Sequence, residues 1–206
     1  MAVSFPVSIK TEKVQGGPDI VVYYPVVYHL KNKQAEHLMN RAIVNATQQL
    51  INTLFGDIPT TLISMLGTYE IKNNQRDVLS LSLANYGYHD HAAHGMTYIK
   101  SLTFDSKTGQ QYQLADLFKP GSAYVGRLSQ LIKEQIAKRD IFLLDDFKQI
   151  RPNQDFYIAD KALVIYFQLY EITPYAFGFP MFPISVYDLM EIINEGGPLG
   201  KMAVNN

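Results

Sequence analysis

Val78-Leu79-Ser80-Leu81-Ser82-Leu83 alternates apolar and hydroxyl residues with a period of two. In a strand, successive side chains leave on opposite faces, so Leu79, Leu81 and Leu83 share one face and Ser80 and Ser82 the other. Strands flank it on both sides: one from about Thr60 to Ile71, turned through Asn73-Asn74-Gln75, and one from Met96 to Phe104. Further toward the N-terminus, Val3, Phe5, Val7 and Ile9 alternate with Ser4, Ser8 and Lys10, which predicts a half-buried strand over residues 3–14. Gly16-Gly17-Pro18-Asp19 is a turn signal, and Ile20 to Leu30 is rich in β-branched and aromatic residues, with Pro25 marking a bulge or an edge. These two strands read as a hairpin.

Helices interrupt the strands at two places. Asn32 is suited to cap a helix running to Phe55, with Ala35, Leu38, Met39, Ala42, Ile43, Ala46, Leu50 and Leu54 spaced by three and four, and Gly56 ends it. After the polar loop Asp105-Ser106-Lys107-Thr108-Gly109, Ser122 is placed to cap a second long helix to about Arg139, with the stripe Val125, Leu128, Leu131, Ile132 and Ile136. Phe156-Tyr157-Ile158 and Leu163 to Phe167 form a hairpin through Ala159-Asp160-Lys161. Ser185 opens a short last helix, and the tail after Gly196-Gly197-Pro198 reads as loose. Strands that come in antiparallel pairs, with two long helices packed on them, define an α+β fold. A division near residue 90 gives a smaller N-terminal part, 1–88, and a C-terminal part, 89–206.

Composition narrows the function. The chain has 206 residues, is 47% apolar and carries a formal net charge of −1, with no basic run. It has core-forming capacity and lacks the clustered cations that non-specific nucleic-acid binding needs, so no nucleic-acid partner is expected. The absence of cysteine removes disulfides, thiolate catalysis and zinc–thiolate sites. No stretch reaches the ~20 apolar residues of a membrane span. The first seven residues show neither a basic nor an apolar signal region, which places the protein in the cytoplasm if Met1 is its native start.

Three groups of residues could carry chemistry. His89 and His91 share a strand face at zinc-ligand spacing, and His94 could close the set from a turn; a metal there would activate water for hydrolysis. The plainer reading is a polar strand-to-loop crossing with His94 bonded to backbone. Glu171 could act as a general acid if buried, or accept hydrogen bonds that pin its loop; the latter is the expectation, because no second carboxylate or nucleophile stands at a telling spacing. Finally, Tyr170-Glu171-Ile172-Thr173-Pro174-Tyr175-Ala176-Phe177-Gly178-Phe179-Pro180 is a loop stiffened by two prolines and loaded with aromatics. Tyr175, Phe177, Phe179 and Phe182 could anchor a partner or fold back on the sheet as a lid. No Gly-x-Ser-x-Gly and no phosphate-cradling glycine loop is present, and no cofactor is implied.

Three blocks carry a family resemblance. They are Ala92-Ala93-His94-Gly95; Phe104-Asp105 with Thr108-Gly109 and Leu114-Ala115-Asp116-Leu117-Phe118; and Tyr170-Glu171-Ile172 with Pro174-Tyr175-Ala176 and Gly178. Residues 85–190 resemble the secreted domain of unknown function shared by the extracellular part of the lysozyme-sensing anti-sigma factor RsiV and the non-catalytic region of the peptidoglycan deacetylase PdaC. The first block departs from the family's Gly-Gly-Ala-His by having Ala92 before Ala93. The first half resembles the smaller companion domain that precedes it in that family. The resemblance implies a bacterial cell-envelope binding module of α+β fold, without catalysis. Lysozyme sensing belongs to one branch of that family, so lysozyme and peptidoglycan fragments are candidate partners, and His94, Glu171, Tyr175, Phe177 and Phe179 are the candidate binding residues. The alternatives are a structural or oligomeric module and a metal-dependent hydrolase built on His89, His91 and His94.

Overall fold

The alternating stretch sits near the centre of a five-stranded sheet in the computed structural model, which describes residues 5–56 and 61–204. Strands β1 (Ser8–Gly17), β2 (Ile20–Tyr28), β3 (Leu62–Gln75), β4 (Val78–His89) and β5 (Met96–Asp105) lie side by side in sequence order. Val3, Ser4 and Thr60, assigned to strands from the sequence, lie outside the described residues. Leu79, Leu81 and Leu83 are buried on one face, where helix α1 (Lys33–Phe55) lays down Ala35, Met39, Ile43, Ala46 and Leu50. The serine face is buried as well. There Ser80 Oγ meets Thr103 Oγ1 of its cross-strand partner at 2.9 Å, so both hydroxyls are satisfied without water.

The caps that delimit α1 are those the sequence announces. Asn32 Oδ1 accepts from the backbone N–H groups of Gln34 and Ala35 at 3.1 and 3.2 Å, and Gly56 takes φ +56 at the other end. Glu36 in the first turn reaches back to accept from the Leu30 N–H at 2.8 Å and pairs with Lys33. The Leu30 donor, with the Lys33 ammonium second, holds the Glu36 carboxyl below its usual range. A carboxyl depressed in the folded state contributes stability that is present above its unfolded pKa and is lost as pH falls through the folded value. Glu36→Gln should therefore lower the urea midpoint at pH 7, and the gap to wild type should shrink below about pH 4. A gap independent of pH would show that Glu36 acts by shape alone.

The first hairpin forms as expected, but its connection to the sheet is not antiparallel. β2 pairs parallel with β3 from Ile20↔Met65 to Val22↔Gly67, and α1 supplies the long crossover that a parallel pair requires. Beyond Val22, β2 leaves β3, and Pro25 falls in that released stretch, where its missing N–H costs no ladder bond. Two asparagine side chains satisfy further backbone groups in this part of the sheet. Asn40 of α1 accepts from Val27 N–H and donates to Val27 C=O, both at 2.8 Å, and Asn74 does the same for Val7 at 3.1 and 2.8 Å. The turn expected at Asn73-Asn74-Gln75 lies instead at Arg76-Asp77, both at positive φ (+52 and +60), the backbone twist that suits a two-residue hairpin. Asn73 and Asn74 are used as side-chain donors and acceptors, and a bulge between Ile71 and Asn73 carries the strand past them.

Two compact units result, Met1–Gln111 and Tyr112–Asn206. The division expected near residue 90 therefore moves, because β5 pairs with β4 from Val78↔Asp105 to Gly87↔Met96 and belongs to the first sheet. The second unit carries an antiparallel sheet of β6 (Phe156–Ala159), β7 (Ala162–Tyr166) and β8 (Met181–Ser185), with helix α2 (Tyr124–Lys138) and the short α3 (Pro198–Ala203). Residues 141–150 form neither helix nor strand. Two readings are corrected here. Ser122 does not cap α2: the cap position is Ala123, without a side-chain bond, and Ser122 Oγ is buried. The tail is not loose either, because Pro198 starts α3 and Leu199 and Met202 are fully buried. Ser185 does cap a helical turn, Val186–Leu189, by accepting from Tyr187 N–H at 3.3 Å.

Candidate functional site

The aromatic loop leaves β7 at Phe167 and returns in β8. Phe182 is wholly buried and stands edge-on to Phe167, ring centroids 5.8 Å apart at 87°, so this ring folds back into the core. Phe179 is half-buried, whereas Tyr170 and Phe177 are 46% and 42% exposed. Tyr170 and Tyr175 lie with ring centroids 5.5 Å apart, and a single helical turn, Tyr175–Phe177, places Phe177 beside them in sequence. The loop thus divides its aromatics between lid and surface.

Glu171 fixes that loop. Its Oε2 accepts from Gln168 N–H at 2.7 Å, and its Oε1 accepts from Gln154 Nε2 at 3.2 Å and from Arg151 Nη2 at 2.8 Å. Gln154 is itself buried and also donates to Tyr166 C=O at 3.0 Å, which ties the carboxylate to β7. With its two oxygens engaged by three donors, Glu171 pins the chain through a backbone N–H, a side-chain amide and a guanidinium.

The three histidines diverge. His89 Nε2 lies 2.7 Å from Leu54 C=O and therefore donates to it, while Nδ1 lies 2.7 Å from Thr61 Oγ1. Both ring nitrogens of His89 are thus spent on joining the end of α1 to β4. His91 sits at φ +61 in the following turn, its side chain 91% exposed and 3.0 Å from Asp90. His94 donates from Nδ1 to Gly95 C=O at 2.9 Å. The strand spacing that suggested a zinc set ends at His89, where the chain turns away. Among the described residues no three His, Asp or Glu side chains are grouped to hold a metal.

One feature escaped sequence reading. In the first unit, an open cleft of about 450 Å³ runs between α1 and the segment from β5 to Gln111. Its polar side is Arg41, Asn45 and Gln49 on the helix, faced by Lys100, Gln110 and Gln111. The helical trio is spaced by four, a pattern that reads from sequence only as a solvated face. The opposing residues lie about fifty to seventy positions further along the chain, and only the fold brings them across.

Known proteins share part of this chain's sequence and its α+β fold. Residues 115–187 match the family described as "Protein of unknown function (DUF3298)". That span includes Ala115 to Phe118 and the whole aromatic loop. Two solved structures share the fold over nearly the whole chain. One is a DUF3298 family protein from Pseudomonas aeruginosa PAO1, with TM-score 0.70 and 15% identity, covering 99% of both chains. The other is a member of the DUF3298 family from Bacteroides fragilis NCTC 9343, with TM-score 0.67 and 14% identity, covering 98% of both chains. No curated protein matches the sequence.

Proposed function

We propose that this chain is a non-catalytic binding module of the bacterial cell envelope, related to the RsiV and PdaC domains, that recognises lysozyme or peptidoglycan fragments through the aromatic loop. In this reading the N-terminal part corresponds to the companion domain that precedes it in that family. The observation that carries the proposal is the pairing of exposed Tyr170 and Phe177 with the three-donor clamp on Glu171. Aromatic side chains already held in place lose little freedom on binding and can contribute much of an interface's energy. Catalysis has no matching support, because Glu171 and His89 are engaged in structural bonds.

Calorimetric titration of the full chain with lysozyme and, separately, with soluble peptidoglycan fragments tests the reading. Saturable binding to either is expected. Phe177→Ser should weaken it by at least ~30-fold, the scale of an interface hot spot of 2 kcal/mol or more, without changing the thermal midpoint. Adding Phe179→Ser should abolish it. No heat with either partner, or binding unaffected by Phe177→Ser, would overturn the assignment.

A further inference from the structure

The cleft of the first unit has its own chemistry, separate from the aromatic loop. It presents two cations, Arg41 and Lys100, and no carboxylate lines it among the described residues. Arg41 has no ion-pair partner among the described residues. Four primary amides, those of Asn45, Gln49, Gln110 and Gln111, complete the polar rim, and each can donate and accept at once. Leu38, Ala42, Ala46 and Leu102 give it an apolar floor, and among the described residues no aromatic ring lines it for a sugar to stack on.

Amides that both donate and accept match peptide groups, and an unpaired guanidinium such as that of Arg41 matches a carboxylate. We infer that this cleft binds a short, extended peptide bearing carboxylates. Dimensions agree. Residues four apart on a helix are about 6 Å apart along its axis, so Arg41 to Gln49 forms a rail of about 12 Å. An extended peptide advances about 3.3–3.6 Å per residue, so the rail spans three to four residues. The volume, about 450 Å³, falls within the ordinary range for ligand sites.

The wall opposite the helix is already set in place. Asn32 Nδ2 donates to Lys107 C=O at 2.8 Å, and Asp105 Oδ1 accepts from the Lys107 and Thr108 N–H groups, both at 2.9 Å. Gly109 lies so close to α1 that a Cβ there would stand 2.7 Å from Ala35 Cα. A ligand therefore meets a preformed slot, and little of its binding energy goes into ordering the protein.

The test is a nitrogen-15 NMR titration of the full chain. Its probes are a synthetic tetrapeptide with two glutamate side chains and a free C-terminus, the same peptide with every carboxyl amidated, and inorganic phosphate. The acidic peptide should shift the amides of residues 41–49 and 100–111 saturably, and binding should weaken as salt rises from 0.05 to 0.5 M, by about a factor of ten. Arg41→Glu changes an exposed helical position, so circular dichroism should be unaltered while affinity falls about tenfold or more. Phe177→Ser should leave this titration unchanged, which separates failure here from failure at the aromatic loop. Equal binding of the amidated peptide, phosphate binding as tight as the peptide's, unchanged affinity in Arg41→Glu, or no shifts in the cleft would each overturn the inference.

Discussion

Gly109→Ala is expected to lower the thermal midpoint of the protein by about 6–12 °C, for a loss of about 3 kcal/mol. Two costs combine. Gly109 sits at φ +77, where an L side chain loses roughly 1–2 kcal/mol. The added methyl would also stand 2.7 Å from both Ala35 Cα and Ala35 O, which are backbone atoms at the start of α1 and cannot rotate aside. Such overpacking typically costs about 1–3 kcal/mol. Gly121 separates the terms: it too lies at φ +77, with nothing within 4 Å of where its Cβ would be. Gly121→Ala should therefore show the dihedral cost alone. If the two substitutions prove equally destabilising in parallel denaturant melts, the close seat of the 105–111 segment on α1 is not what holds it. The same shift would spoil the wall of the cleft, so Gly109→Ala should weaken acidic-peptide binding even at temperatures where the protein remains folded.

What the sequence discloses is what neighbouring residues decide among themselves. Asn32 and Gly56 bound α1 because capping needs only a side chain and backbone within three residues. The strand at Val78 is legible because its period is local, and the aromatic loop because Pro174 and Pro180 act on their own backbone. Readings fail where a distant group competes. Asn73 and Asn74 look like turn residues, but Val78 and Val7 offer them backbone partners, and the turn moves to Arg76-Asp77. Ser122 looks like a cap, but its hydroxyl is buried one residue too early. The tail after Gly197 looks loose until Leu199 and Met202 are seen in the core. The histidine triplet fails for the same reason, since Leu54 C=O, thirty-five positions away, claims the Nε2 of His89. The cleft was beyond local reading altogether, because each wall taken singly is an ordinary wet surface.

Glu171→Ala is expected to destabilise the protein by about 2 kcal/mol, a fall of about 4–8 °C in its melting temperature. The estimate rests on which donors lose their acceptor. Gln168 N–H, at 2.7 Å, gives up a charge-assisted bond, the type worth about 1.5–3 kcal/mol. Gln154 Nε2 keeps Tyr166 C=O and loses less. Arg151 is 58% exposed and regains water, so its ion pair contributes little to the total. Glu171→Gln retains an acceptor for Gln168 and should recover more than half of the loss. The two variants also test how the loop serves binding. If Tyr170, Tyr175 and Phe177 work because they are held ready, Glu171→Ala should reduce partner affinity although it removes no aromatic contact, and Glu171→Gln should restore it in step with stability. Affinity that falls equally in both variants, with stability recovered only in Glu171→Gln, would instead mean that the carboxylate charge itself meets the partner.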